Sequence, residues 1–389
     1  VSLLSRRGLG DTANQLIPPR TRTYGTTAVS ADSALRSSAV WACLQLRGDL
    51  ISTLPLDSYR LSGGLQVEMP LTPFLKNPAN DRFGRIDWLF ASQVDLDRSG
   101  NAFGIIQARD GLGNPAVVEL VPTSAVSLKG RGAQITEYRI GGTTYDPRDV
   151  WHERQFVVAG VPLGLSRIAY SAMSIGGYLS AQQFALDWFG NGTIPSGRLK
   201  NTAKTINKAE SQVARDNFRD AVANRELFVH GADWEYEMLQ VAANESQFLE
   251  TMNYGVADIA RFFGVPGDLI DAETNSRAKI TYANITQRHL GFLVMHLNPA
   301  VVRREYALSA ALPAPRFVKF NTDALLRMDP SSRTSMLNSQ VEARTLAPSE
   351  ARALENRLPF TESQMAEFDR LFGKDTATPA AATPTEGNS

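Results

Sequence analysis

Cysteine is almost absent from this chain: Cys43 is the only one in 389 residues. A single thiol excludes intrachain disulfides, so nothing in the fold requires an oxidising compartment. Histidine is scarce as well, with four residues, His152, His230, His289 and His296. The last two are seven positions apart, on one helical face but too distant for the i, i+4 clasp of a metal site. Net charge is also missing, since 40 basic side chains balance 40 acidic ones. Dedicated nucleic-acid binders are usually basic, because each neutralised phosphate adds affinity and salt dependence. No apolar run suits a membrane span: the most apolar long stretch, 166–191, carries Arg167, Gln182, Gln183 and Asp187. The opening VSLLSRRGLGD is too short an apolar run to read as a secretory signal. The expectation is a soluble, cytoplasmically made protein.

Catalytic signatures are equally thin. There is no Walker-type phosphate loop, so the chain is not expected to hydrolyse ATP itself, and no Gly-x-Ser-x-Gly elbow. Gly111-Leu112-Gly113 with Ala116 echoes a dinucleotide fingerprint but sits in a turn with no helix following. Asp95-Leu96-Asp97-Arg98-Ser99-Gly100 begins like a calcium loop, yet its twelfth position is Ile106 where a bidentate Glu is required. Cys43, inside Val40-Trp41-Ala42-Cys43-Leu44, reads as a buried, inert thiol. No catalytic residue, metal or cofactor is expected, and the chain does not read as an enzyme.

What is present is an ordinary globular composition, 43% apolar and 21% charged, long enough for two to three structural units. Residues 1–36, with Arg6, Arg7, Pro18, Pro19, Arg20 and Arg22, read as a flexible arm. Residues 37–165 read as an α+β unit: a helix from Ser37 to about Ile51, a strand at 56–61, and strands 101–108, 116–122 and 135–140 around Gly-rich turns. The stretch 166–191 reads as one helix, about 39 Å long at 1.5 Å per residue. Gly176 and Gly177 sit side by side in it, each costing roughly 1 kcal/mol against Ala. Close approach of another helix, from the same chain or a neighbouring copy, is the expected compensation.

A small α/β insert follows, with strands at 196–200, 227–230 and 235–239 and a helix 208–224 capped by Asn207 and Glu210. The next helix, 244–263, places Phe248, Met252, Val256, Ile259 and Phe263 on one stripe and stops at Phe263-Gly264-Val265-Pro266. A polar loop and a second long helix ending at Pro299 come next, then a helical run to about Leu312 and a strand at 316–321. Asp329-Pro330 opens a further helix, short helices fill 349–372, and 373–389 reads as a disordered tail.

The wording of these segments carries more than their periodicity. Ile259-Ala260-Arg261-Phe262-Phe263-Gly264-Val265-Pro266, followed by Thr281-Tyr282-Ala283-Asn284-Ile285 and a Leu-rich helix, resembles the portal proteins of tailed double-stranded DNA bacteriophages. The likeness runs in order through Ser38–Cys43, Ile51–Leu56, Asn77–Asn80, Gly100–Phe103, Val121-Pro122, Asp149–His152, Gly164–Ser166, Phe189–Gly192, Phe320–Asp323 and Pro348–Arg352. Gly267-Asp268, Leu269-Ile270-Asp271 and Gly291 depart from the usual wording.

The resemblance implies an α+β portal fold. It implies a flexible N-terminal arm (1–36), a wing (37–165), a stem helix (166–192), a clip (193–243) and a second stem helix (244–266). A tunnel loop, long helix and returning wing strand (267–329), a helical crown (330–372) and a disordered tail (373–389) complete it. It further implies a ring of twelve copies at one capsid vertex of the virion, assembled in the host cytoplasm, through which double-stranded DNA is packaged and ejected. The implied partners are the terminase large subunit, the head-tail connector and the major capsid protein, with no membrane and no cofactor.

Within that frame Asn275, Arg277 and Lys279 are expected to face DNA from the tunnel loop, with solvation or pairing to Asp271 and Glu273 as the alternative. Arg198, Lys200 and Lys204 are expected to meet DNA or the motor from the clip. Seven basic residues against seven acidic ones over 192–243 make salt bridges the rival there. Two other functions remain open at this level: a packaging nuclease, and a capsid or connector protein without DNA contact.

Overall fold

The computed structural model describes residues 21–24, 27–131, 134–190, 197–203, 205–223, 233–238, 245–270, 288, 290–322, 330–355 and 357–372. They form two units, one up to Asn321 and one from Thr322 onward. The mixed helix and sheet content agrees with the α+β expectation.

The first unit corrects the arm. Strands β1 (Thr21–Tyr24) and β2 (Thr27–Ser30) form an antiparallel hairpin, and a 3-10 turn spans Ser33–Arg36. Of the expected arm, residues 1–20, 25 and 26 lie outside the described residues. Order from residue 21 has a simple source: Val29 and Ala34 are fully buried, and the Ser33 hydroxyl accepts from Ser30 N at 2.8 Å and donates to Ala28 O at 2.9 Å.

Helix α1 (Ser38–Ser52) follows Ser37 and packs its Val40, Cys43, Leu44 and Ile51 face inward. Strands β3 (Leu56–Ser62) and β4 (Leu65–Met69), the short α2 (Pro73–Lys76) and α3 (Arg85–Ser99) come next. Gly100, at φ 77°, ends α3 in the left-handed conformation that glycine adopts without a Cβ penalty. Its position is also crowded, since a Cβ there would lie 2.4 Å from Leu165 O. Strands β5 (Asn101–Arg109) and β6 (Pro115–Val121) flank the expected turn, in which the Asp110 carboxylate accepts from Leu112 N and Asn114 N. Strands β7 (Val126–Arg131), β8 (Gln134–Ile140), β9 (Thr143–Tyr145) and β10 (Val150–Arg154) complete the region. Two antiparallel sheets result, ordered β10-β5-β6 and β7-β8-β9. Trp88 anchors the core between Phe74 and Trp151 and donates from Nε1 to Val118 O at 2.9 Å.

The single helix expected over 166–191 is broken. Helix α4 (Arg167–Tyr170) and helix α5 (Ala172–Gly190) meet at Ser171, where helical dihedrals are lost. The Ser171 hydroxyl donates to Arg167 O at 2.9 Å, and such back-bonding bends a helix. Beyond α5 lie β11 (Gly197–Asn201), α6 (Lys208–Ala223) and β12 (Trp234–Met238), then α7 (Glu245–Phe263). The expected strand at 227–230 and the cap Asn244 lie outside the described residues. The cap of α6 is as expected: Asn207 Oδ1 accepts from Glu210 N at 2.9 Å and Asn207 N donates back to Glu210 at 3.2 Å.

The long helix does not end at Pro299 either. A π-helical turn at Leu293–Leu297 runs directly into α8 (Asn298–Ser309), with Asn298 N donating to Leu293 O. Pro299 has no N–H for the carbonyl four residues back and its ring crowds that carbonyl. A wider turn just ahead of it lets the chain stay helical. Strand β13 (Arg316–Phe320) then pairs with β3, Phe320 opposite Leu56, to give the sheet β13-β3-β4.

The second unit holds α9 (Pro330–Glu342), α10 (Pro348–Leu354) and α11 (Glu362–Phe372). Glu350 caps α10 by accepting from Ala347 N at 2.8 Å. The Arg352 guanidinium lies 3.7 Å from the Phe360 ring centroid, and Phe360 meets Phe368 edge to face. Residues 323–329 and 373–389 lie outside the described residues.

Candidate functional site

The expected DNA-facing residues Asn275, Arg277 and Lys279 fall within 271–287, outside the described residues; the frame that carries this segment is described at both ends. On one side α7 ends with Gly264 N donating to Arg261 O at 3.1 Å and Val265 N to Ala260 O at 3.0 Å. Gly264 adopts φ +65°, and a Cβ there would stand 3.2 Å from His296 Nδ1. Pro266 forbids continuation, and a 3-10 turn covers Gly267–Ile270. On the other side, Arg288 Nη1 reaches Asp268 Oδ2 at 3.4 Å, tying the two ends of the segment together. Between them lies an open cleft of about 430 Å³ lined by Pro266, Asp268, Arg288, Phe292, Met295 and His296, with Gly291 also on its wall.

Behind the frame, a buried ionic network ties α8 to α3 and β10. Arg304 is fully buried, donates from Nη2 to Ser92 Oγ at 2.9 Å and lies 3.5 Å from Glu153 Oε2. Burial pushes the Glu153 carboxyl up to about 7, against the lowering effect of Arg304. Its neighbour Asp97 sits between Arg47 Nε at 3.0 Å and Arg167 Nε at 3.2 Å, and accepts from Gln93 Nε2 at 2.9 Å. Desolvation would raise its pKa, yet the two guanidiniums and these hydrogen bonds hold the carboxyl below its ordinary range. The sequence carried a trace of this centre only as the false calcium loop: Asp95 and Asp97 lie on α3, not on a loop.

The helix pair α5–α7 answers the glycine expectation from the opposite side. Gly176 is buried, but Gly177 is exposed with nothing within 4 Å of an added Cβ. On the facing helix, Gly255 of α7 makes a close approach, its missing Cβ standing 3.3 Å from the Tyr178 ring. The Ser174 hydroxyl donates to Asp258, and Arg167 Nη1 donates to Phe262 O at 3.0 Å, fixing α7 to the start of the pair.

In the insert, the register of β11 on β12 sets Arg198 opposite Glu237 and Lys200 opposite Glu235. Directly opposed residues share a face of an antiparallel pair, so these expected basic contacts stand in a row of balanced charge. Lys200 is exposed, and Lys204 lies outside the described residues.

The chemistry elsewhere is structural. The Cys43 thiol is buried and pushed up to about 12 by burial, consistent with an inert core residue. Burial pulls His152 down to about 3, so the ring is neutral where it meets Tyr138 and Asn101. Among the described residues no group of three His, Cys, Asp or Glu is placed to hold a metal ion, and no helix is long and apolar enough to cross a membrane. His230 and His289 lie outside them.

Comparison with known proteins gives a consistent answer. The family described as "Phage portal protein" matches residues 38–356. The "Probable portal protein" of Streptomyces phage phiC31 is 29% identical over 362 residues, covering 86% of this chain and 77% of its own length. The "Portal protein" of Enterobacteria phage HK97 is 24% identical over 362 residues, with coverages of 88% and 84%. Among solved structures, an HK97-family phage portal protein from Corynebacterium diphtheriae superposes with a TM-score of 0.62 at 18% identity, covering 78% of this chain and 100% of that one. A chain from the neck of a native gene transfer agent particle, computed with C12 symmetry, gives 0.56 at 18% identity, covering 90% and 99%. These structures bear on the fold.

Proposed function

This chain belongs to the phage portal protein family, and we propose that it forms the ring at one capsid vertex through which a double-stranded DNA genome is packaged and ejected. The observation that carries this reading is the family match over 38–356, which takes in every element of the first unit from α1 to β13. The C12 symmetry of the related gene transfer agent neck supports twelve copies, joined head to tail and closed by rotation. The family is structural, and no chemical step is assigned to this chain.

In this reading residues 37–165 with β13 form the wing, α4, α5 and α7 the stem, 193–243 the clip, and 330–372 the crown. The segment 267–281 lines the narrowest part of the channel, carried on the frame that Gly264, Asp268 and Arg288 define. Arg277 and Lys279 meet phosphates there, with Asn275 beside them. The clip docks the terminase large subunit during filling and the head-tail connector afterwards, and the wing meets the major capsid protein. Balanced charge on the β11–β12 face favours protein docking over DNA grip, because opposed Arg/Glu and Lys/Glu pairs leave no net field for phosphate. The ring is a virion component.

The mass of the purified protein in solution, with negative-stain images of the same sample, tests the reading. Closed rings of about a dozen subunits with a central hole are expected. A stable closed dimer without a channel would overturn it and return the packaging-enzyme alternative to the front.

A further inference from the structure

Phe156 holds a backbone conformation that its own side chain opposes. Its φ is 50°, in the left-handed region where a bulky residue is a genuine outlier. Such strain persists only where the surroundings impose it. The ring is 42% exposed, so burial of apolar surface does not account for it. What the ring does meet is Arg167, whose guanidinium carbon lies 4.5 Å from its centroid.

Arg167 makes two further contacts, on two different elements. Its Nε lies 3.2 Å from Asp97 Oδ1 on α3, and its Nη1 donates to Phe262 O on α7 at 3.0 Å. The last four carbonyls of a helix have no partner within it. At the end of α7, Ala260 O accepts from Val265 N and Arg261 O from Gly264 N. The next carbonyl, that of Phe262, is the one Arg167 takes. A guanidinium there also meets the negative end of the helix dipole. Helix α4, which carries Arg167, is set apart from α5 by the break at Ser171 and fixed to the core instead. Ile168 is buried, and Ser166 Oγ donates to Arg98 O at 2.6 Å. Arg167 therefore stands on the core and reaches across to the helix whose end opens the turn Gly267–Ile270.

We infer that Arg167 is a positioning residue: it caps α7 from outside and so fixes where the frame of the following segment begins. Phe156 accepts strain to hold the guanidinium over its ring, and Asp97 anchors the other edge. Lysine cannot take this place, because a single ammonium has no fork to reach Asp97 and Phe262 O together. The consequence for a channel lined by 267–281 rests on the portal reading; the capping does not.

Amide hydrogen exchange on the full chain tests the assignment. Gly264 N and Val265 N report the end of α7, and Val118 N, which donates to Pro78 O at 2.8 Å, reports the core. Arg167→Lys should speed exchange at Gly264 and Val265 by roughly 10-fold or more, the weight of a hydrogen bond from a charged donor, and leave Val118 unchanged. Phe156→Gly separates the two roles, since glycine adopts a positive φ without strain. If the strain serves only the local loop, this variant is stabilised and both amides keep their rates. The expected result is instead an acceleration of roughly twofold to fivefold at Gly264 and Val265, with Val118 slowed or unchanged. Where Arg167→Lys accelerates all three amides alike, the surface change Phe156→Gly decides alone. Unchanged rates at Gly264 and Val265 in either variant, or equal acceleration of all three in Phe156→Gly, would overturn the assignment. Ring mass on the same samples tests the portal reading separately, so either can fail while the other stands.

Discussion

Glu153 and Asp97 share one core yet respond to pH in opposite directions. Burial holds Glu153 at about 7, above its ordinary 4.5, so the folded state keeps a proton that the unfolded chain releases earlier. Its contribution is fully favourable below about 4.5 and is lost as pH rises through about 7. The variant Glu153→Gln imitates the protonated acid at all pH values. Relative to the parent it is expected to gain up to about 3 kcal/mol between pH 5 and pH 8 for a shift of this size, on top of a pH-independent cost of leaving Arg304 without its charged partner. Urea melts across that range would check this, and equal offsets at both ends would refute it.

Asp97 runs the other way: its carboxyl is held below 3.8 by Arg47 and Arg167, so its contribution is present above that value and lost as pH falls below it. The variant Asp97→Asn strands two buried guanidiniums and should cost about 3–5 kcal/mol near neutral pH. It should also flatten the acid limb of the stability curve. Neither residue announces itself in the sequence, because a buried ion is set by partners up to 151 positions away, as with Glu153 and Arg304.

At the scale of elements, Gly264 is where local rules and tertiary packing coincide. It ends α7 in a left-handed conformation and leaves room for His296 at 3.2 Å from a would-be Cβ. Gly264→Ala should therefore cost about 1–2 kcal/mol for the backbone alone, with a further loss from displacing His296. Thermal melts give the first part, and hydrogen exchange at 290–297 gives the second; an unaltered exchange pattern would separate the helix end from the loop frame.

That end was legible in the sequence, as were the Asn207/Glu210 cap, the Asp110 turn and the pairing strand at 316–321. Each is fixed by residues within a few positions or by strong alternation. The break at Ser171, the π turn before Pro299 and the hairpin over 21–30 were not legible. In each, a local pattern was overruled: a serine hydroxyl competed for a carbonyl, a proline was accommodated by a wider turn, and a polar, Arg-rich stretch was ordered by burial of Val29 and Ala34. The paired glycines stand on α5, the helix that meets α7 where Gly255 leaves room for Tyr178.

For the whole molecule the deciding quantity is charge. The chain carries none net, and on the β11–β12 pair Arg198 and Lys200 stand opposite Glu237 and Glu235. A conduit that must let DNA slide is served by few phosphate contacts, since each one steepens the salt dependence and deepens the grip. Rings of this protein are therefore expected to bind free duplex DNA weakly, with a shallow dependence of log affinity on log salt. On the proposed reading, Arg277 and Lys279 are the residues to test for the contacts that remain. The double variant Arg277→Ala, Lys279→Ala should assemble into rings as the parent does, flatten the salt slope by about one to two units, and reduce packaging or retention of DNA. If ring formation, salt slope and packaging are all unchanged, those two side chains do not face the phosphates, and the channel's DNA contacts must be sought on other residues. If rings fail to form, the loop belongs to the subunit interface rather than to the channel wall. The two outcomes separate because assembly is read by mass and DNA contact by salt, and a residue that merely pairs with Asp271 or Glu273 alters neither.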